Sequence, residues 1–99
     1  MTLTSDQKKH FRALGHNLKP VVTVAGKGVT EGVLAETDRA LEDHELIKIK
    51  LAITDRDSRK QALEALSTHC RAQVVQEIGK TALLFREARK PQMHKSNIR

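Results

Sequence analysis

The chain has 99 residues, enough for one domain with a modest core but not for a deep catalytic cavity. Lysine and arginine number 18 against 12 aspartate and glutamate, and the resulting net charge of +6 favours a polyanionic partner. Phe11 and Phe85 are the only aromatic residues and Cys70 is the only cysteine, which excludes a base-stacking sheet surface and an internal disulfide.

No segment of the sequence predicts a membrane anchor or a signal peptide. The N-terminus lacks an apolar core, and no stretch approaches the roughly 20 apolar residues that a membrane-spanning helix needs. A lone cysteine also fits a reducing compartment. We therefore expect a soluble, cytoplasmic protein that has no membrane partner.

The first predicted helix begins near residue 4, where a threonine or a serine can cap it. Phe11 and Leu14 share one face of this helix and are candidates for the core. Another face carries Lys8, Lys9 and Arg12. This basic face is either a solvated surface or a contact for phosphate groups, and the pattern leaves both interpretations open.

A strand, a glycine-flanked lysine and a helix start follow one another within residues 20–32. The strand is predicted to begin at the proline, which a strand start tolerates, and to continue through β-branched residues. Gly26 and Gly28 flank Lys27 and permit a close ligand approach or a positive φ, while Thr30 is the predicted cap of the second helix. Such a loop can seat a phosphate of a nucleic-acid backbone, and the alternative is an ordinary turn.

The remaining elements are predicted from alternation, caps and turn residues. Isoleucine and leucine alternate with lysine over residues 46–53, which predicts a strand with one covered and one polar face. Asp55 or Asp57 caps a third helix, and Gly79-Lys80 fits a type II′ hairpin turn. The order α-β-α-β-α-β-β predicts an α/β fold, with the first three strands parallel and the last one antiparallel.

Charge is concentrated in separate parts of the chain. Residues 30–45, which include the second helix, carry six acidic side chains and one basic side chain. Arg56, Arg59 and Lys60 crowd the start of the third helix, where the dipole disfavours cations, a weak indication of function. Residues 88–99 are basic with little apolar content, which predicts a mobile tail.

Patterns typical of catalysis or metal binding are missing from the sequence. The five histidines never fall at an H-x-x-x-H spacing, and the serines lack a nucleophile-elbow context. Cys70 is interpreted as a small buried hydrophobic residue. A P-loop needs serine or threonine after its lysine, where this chain has Gly28. We therefore expect no enzymatic activity, no cofactor and no metal.

Four segments together point to a known family. They are residues 18–22 (LKPVV), 26–34 (GKGVTEGVL), 40–50 (ALEDHELIKIK) and 78–86 (IGKTALLFR). The chain resembles the bacterial stand-alone CRM-domain proteins of the YhbY type over residues 2–87. The resemblance implies a CRM-like RNA-binding domain at residues 1–87, followed by the basic tail at 88–99. It also implies a single small domain with a four-stranded mixed sheet packed by helices, similar to the C-terminal domain of bacterial translation initiation factor three.

The same resemblance implies a function in ribosome assembly. The protein would bind precursor large-subunit rRNA and associate with pre-ribosomal particles, and we expect it to be a monomer. An alternative is a protein-interaction adaptor that docks on the particle through the acidic helix at residues 30–45. The charge of that helix motivates the alternative, although a solvated face also accounts for it.

The family binds RNA through a GxxG loop between the first strand and the following helix. In this chain the four positions are Ala25, Gly26, Lys27 and Gly28, so alanine replaces the first glycine. Because alanine disfavours positive φ, we expect either a different loop shape or a flexible role for Gly26. The implied RNA-binding residues are Ala25, Gly26, Lys27, Gly28 and Thr30, with Lys8, Lys9, Arg12 and Lys19 as the nearest basic candidates.

Overall fold

The secondary structure follows the predicted order in the computed structural model, which describes residues 3–99. The helices are α1 (Ser5–Gly15), α2 (Glu31–His44) and α3 (Arg56–His69). The strands are β1 (Pro20–Val24), β2 (Leu46–Leu51), β3 (Gln73–Ile78) and β4 (Thr81–Phe85). The predicted α/β fold with one mixed four-stranded sheet is confirmed. Residues 1 and 2 of the predicted domain lie outside the described residues.

Each helix begins at a side-chain cap that the sequence predicts. Thr4 forms a capping box with Gln7, in which each side chain accepts a hydrogen bond from the other residue's backbone N–H, at 3.1 and 2.9 Å. Thr30 and Asp55 accept hydrogen bonds from the N–H group three residues further on, at 3.2 and 3.0 Å. These bonds satisfy donors that a helix start leaves unpaired, and so they fix where each helix begins.

The sheet has the strand order β1-β2-β4-β3, in which β1 and β2 are parallel and β4 is antiparallel to both of its neighbours. The predicted strand directions are confirmed, since β3 runs parallel to β1 and β2 while β4 runs antiparallel to them, and β4 lies between β2 and β3. Four of the five β4 residues are buried, whereas three of the six β3 residues are polar, so the more apolar strand occupies the interior. Both edge strands carry a register shift, between Pro20 and Val22 in β1 and between Val74 and Gln76 in β3.

Helices cover both faces of the sheet, and each face has its own hydrophobic cluster. The larger cluster joins the sheet to α2 and α3, and its fully buried members include Leu41, Ile49 and Leu66. The smaller cluster joins the sheet to α1 through Phe11 and Phe85. None of the helices within residues 3–99 is long and apolar enough to cross a membrane.

The predicted alternation in β2 is confirmed, although the strand ends at residue 51 instead of 53. Ile47, Ile49 and Leu51 are buried in the larger cluster, while Lys48 is half-buried and Lys50 is exposed. The hairpin turn between β3 and β4 has positive φ at its glycine and not at its lysine, as a type II′ turn requires.

Candidate functional site

Three connections meet at one end of the sheet, which we call the loop end. Val24, the last residue of β1, pairs with Leu51, the last residue of β2, so the chain leaves both strands at the same end. The backbone N–H of Ala52 donates to the carbonyl of Val24 (2.8 Å), and that of Leu51 donates to the carbonyl of Lys80 (2.6 Å). The loop end therefore consists of residues 25–30, 52–60 and 79–80.

Residues 25–28 form a tight turn, closed by a hydrogen bond of 2.9 Å from the N–H of Gly28 to the carbonyl of Ala25. Gly28 has a φ of +79°, whereas neither Ala25 nor Gly26 has a positive φ. Gly26 therefore does not take a positive φ in place of a glycine at position 25, and the effect of Ala25 on the loop shape stays a prediction. Glycine is favoured at the fourth position of a turn, and Lys27 at the third position is exposed to solvent.

Replacing Gly28 with alanine is expected to lower the free energy of unfolding by about 1–2 kcal/mol, because an L-residue is strained at this positive φ. Gly26→Ala is the matched control, since an added Cβ meets no atom within 4 Å there and φ is not positive. We expect the control to stay within about 0.5 kcal/mol of the wild type. Urea unfolding measures both, and equal losses would contradict the assignment of the strained position.

The start of α2 lies directly after this turn. Thr30 caps the helix through the N–H of Val33 and thereby fixes the direction of the helix dipole toward the loop end. Glu31, exposed in the first turn, brings a carboxylate to the same place and competes with an external anion for the dipole. The ammonium of Lys27 is therefore the stronger anion anchor at this end of α2.

A groove of about 380 Å³ separates the turn from α3, and we call it the loop groove. Its lining residues are Gly26, Gly28, Val29, Ile53, Ser58, Gln61, Ala62 and Ala65. None of these side chains is charged, and both glycines expose backbone instead of a side chain. The groove therefore has room for a small uncharged group beside the ammonium of Lys27.

The other predicted binding residues do not line the loop groove. Lys19 precedes β1, so the length of the strand, about 20 Å at 3.3 Å per residue, separates it from the turn. Helix α1 packs on the opposite face of the sheet from α2 and α3. The N–H of Leu3 before it donates to Gln73 at the start of β3 (3.0 Å), far from the hairpin turn. The basic residues of α1 are Lys8, Lys9 and Arg12, and they form a separate surface.

A second groove of about 380 Å³ lies at the loop end between α3 and the hairpin turn, and we call it the hairpin groove. Its lining residues are Arg56, Arg59, Lys60, Glu77 and Gly79. The three cations are not among the binding residues that the sequence predicts. Their position against the helix dipole was the available indication, and the packing of the hairpin against α3 could not be predicted from it.

Arg59 has a structural role within this region. Its Nη1 donates to the carbonyls of Ile53 and Thr54, both at 2.8 Å, and so holds the connection between β2 and α3. Its Nε is buried and makes no hydrogen bond within residues 3–99. Arg59 therefore links the wall of the hairpin groove to the loop beside it.

The acidic face of α2 is partly occupied by the C-terminal segment, residues 86–99. Nη1 of Arg86 donates to the carboxylate of Asp38 (2.5 Å), and its Nη2 lies 3.6 Å from the carboxylate of Glu42. Glu42 also accepts hydrogen bonds from the N–H of Lys90 (3.0 Å) and of the residue before it (3.2 Å). These hydrogen bonds lower the pKa of Glu42, and the bond from the N–H of Lys90 has the largest effect. Less of the negative charge is therefore available to an external partner than the sequence suggests.

The same segment ends on Glu45, a carboxylate with no solvent exposure directly after α2. Glu45 accepts hydrogen bonds from Ala88 N and Ser96 Oγ, both at 2.8 Å, and from Nε and Nη2 of Arg99 at 2.6 and 3.1 Å. The bond from Arg99 is the main cause that lowers its pKa, against the opposing effect of burial. The mobility expected of residues 88–99 stays a prediction, and these contacts would oppose it.

The described residues contain no group of three or more histidine, cysteine, aspartate and glutamate side chains that could hold a metal ion. Cys70 is buried, as the sequence predicts, and its Sγ lies 3.9 Å from the carbonyl of Leu34. Burial raises the pKa of its thiol, which disfavours the thiolate form that a nucleophile needs.

Comparison with known proteins gives a consistent set of relatives. The family model described as CRS1 / YhbY (CRM) domain matches residues 3–86. A "Probable RNA-binding protein" of Pseudomonas aeruginosa is 55% identical over 98 residues, which cover 99% of this chain and 94% of that protein. An "RNA-binding protein" of Haemophilus influenzae is 45% identical over 85 residues, 86% of each chain. The solution structure of a hypothetical protein of Staphylococcus aureus, described as a candidate RNA-binding protein, is 34% identical with a TM-score of 0.78, over 90% of this chain and 93% of that one.

Proposed function

Since this chain belongs to the CRS1/YhbY (CRM) domain family, we propose that it binds RNA, without catalysis, and assists assembly of the large ribosomal subunit. The names of its relatives support RNA as the partner. We propose more specific partners as well. The protein would act as a monomer in the cytoplasm and bind precursor large-subunit rRNA within pre-ribosomal particles. The observation that carries the proposal is the tight turn, which exposes Lys27 between two residues that line the loop groove.

The turn would hold the RNA backbone by charge and by shape. The ammonium of Lys27 would neutralise a phosphate and release its condensed counterions. Gly26 leaves room for the backbone of the ligand, since no atom lies within 4 Å of the position that a Cβ would take. Contacts of this kind position a nucleic acid without reading its sequence, so we expect recognition of RNA shape more than of base identity.

Lys27→Ala is expected to weaken binding of single-stranded RNA about fivefold, and to make the slope of log K against log salt about 0.7 less negative, because one phosphate contact is lost. Fluorescence anisotropy over a range of salt concentrations measures both values. Arg39→Ala is the control, because it removes one exposed cation from α2 outside the loop end. An unchanged slope and affinity in Lys27→Ala would remove this residue from the site.

The proposed target is tested by crosslinking the tagged protein to RNA in cells and sequencing the bound RNA. Crosslinks concentrated on precursor large-subunit rRNA, and reduced in Lys27→Ala, are expected. Crosslinks spread over many RNAs would contradict the ribosomal target and leave general RNA binding.

The alternative function, an adaptor that docks on the particle through α2, requires accessible negative charge. Asp38, Glu42 and Glu45 instead hold the C-terminal segment, which leaves exposed carboxylates such as Glu36. Charge reversal in Glu36→Lys separates the two functions, since it leaves those contacts intact. Two measurements are compared in this variant, sedimentation with ribosomal particles and binding of protein-free RNA. Loss of the first with the second unchanged would favour the adaptor.

A further inference from the structure

We propose that the hairpin groove is a second phosphate-binding site, which holds the same RNA strand that the turn at residues 25–28 binds. The proposal rests on the proposed RNA-binding function and extends it to Arg56 and Lys60. Three of the five residues that line the groove are cations, contributed by the start of α3. An RNA backbone is the partner whose charge this lining fits.

The two outer cations are available to a ligand. Arg56 and Lys60 are exposed, and neither forms an ion pair within residues 3–99. Arg59 differs from them, because it is held by the carbonyls of Ile53 and Thr54 and forms part of the groove wall. The positive end of the helix dipole repels the charges of Arg56 and Lys60 and does not neutralise them. An external anion bound in the groove would neutralise them.

Helix α3 connects the two grooves. Ser58, Gln61 and Ala62 line the loop groove on one side of α3, while Arg56 and Lys60 line the hairpin groove on its other side. The helix with its side chains is about 10 Å wide, a distance that a strand of a few nucleotides can span. A strand held at Lys27 can therefore cross the start of α3 and place a second phosphate between α3 and the hairpin turn.

Glu77 is the carboxylate in the lining of the hairpin groove. It pairs in register with Ala82, a residue of the larger cluster, which places Glu77 on the α3 side of the sheet. Its charge opposes a phosphate in the same groove. Removing that charge should therefore strengthen RNA binding, a gain that a misfolded variant could not produce.

The test compares Arg56→Ala/Lys60→Ala, Glu77→Gln and Lys27→Ala in binding a fluorescein-labelled 16-nucleotide oligouridine RNA over a range of salt concentrations. We expect the double variant to make the salt slope about 1.4 less negative, for two lost phosphate contacts, and to weaken binding at least tenfold. Glu77→Gln is expected to bind about two- to fivefold more tightly. Arg39→Ala/Lys95→Ala is the control, since it removes two exposed cations outside the loop end.

The outcomes separate this proposal from the proposed function. If the double variant keeps the wild-type slope and Glu77→Gln gains nothing, while Lys27→Ala still weakens binding, the hairpin groove is not a site and the turn alone binds RNA. Equal losses in the double variant and its control would also overturn the proposal, because the effect would then reflect total charge. If the wild-type protein binds no RNA, the proposed function fails and the second site fails with it. Circular dichroism of every variant verifies that the fold is retained.

Discussion

Glu45→Ala is expected to lower the free energy of unfolding by about 3 kcal/mol and to loosen the part of the C-terminal segment that contacts this carboxylate. The buried carboxylate holds Ala88, Ser96 and Arg99 together, and its removal leaves the buried N–H of Ala88 without an acceptor. Arg99 is about one-third exposed, so its guanidinium can turn to water, which limits the loss. Guanidinium chloride unfolding measures the stability, and hydrogen exchange measures the loosening of the backbone around Ala88 and Ser96.

The same carboxylate makes a defined contribution to the pH dependence of stability. Because hydrogen bonds in the folded state lower its pKa from the ordinary value of 4.5, Glu45 stabilises the fold above that pH. The contribution is lost as the pH falls through the lowered pKa of the folded state. The stability difference between wild type and Glu45→Gln should therefore be largest near neutral pH and shrink on acidification. A difference that is constant from pH 7 to pH 3 would contradict this role.

Phe11→Ala is expected to cost about 3–4 kcal/mol of unfolding free energy, because it empties the centre of the smaller hydrophobic cluster. Phe11 is 8% exposed and stacks on Phe85 with ring centroids 4.6 Å apart. This contact attaches α1 to the sheet, so hydrogen exchange in α1 should accelerate more than in α2 or α3. Phe11→Leu is the control and should lose about half as much. An unchanged exchange rate in α1 would show that other contacts hold the helix.

The elements of this fold could be predicted because their determinants are local. A cap at Thr30, the alternation in β2 and the glycine of the hairpin turn each depend on a few neighbouring residues. The strand order depends on which strand is more apolar, a comparison between β3 and β4 that no local pattern expresses. The position of β4 beside β2 could not be predicted for this reason.

Only the part of the candidate site that is local in sequence could be predicted. The turn at residues 25–28 is continuous in sequence, and its residues were identified together. Arg56 and Glu77 lie 21 residues apart and line one groove only because the hairpin packs beside α3. The docking of residues 86–99 was also missed, since it depends on Glu45, whose burial could not be recognised among six acidic residues of the same stretch.

The register shifts in the two edge strands have a consequence for the behaviour of many copies in one solution. A regular edge presents evenly spaced N–H and C=O groups that can pair with the edge of another molecule. In β1 the spacing is broken beside Pro20, which has no N–H to offer, and in β3 it is broken between Val74 and Gln76. Neither edge is a regular template for intermolecular strand pairing. These irregularities therefore disfavour the joining of copies into a larger sheet through either edge.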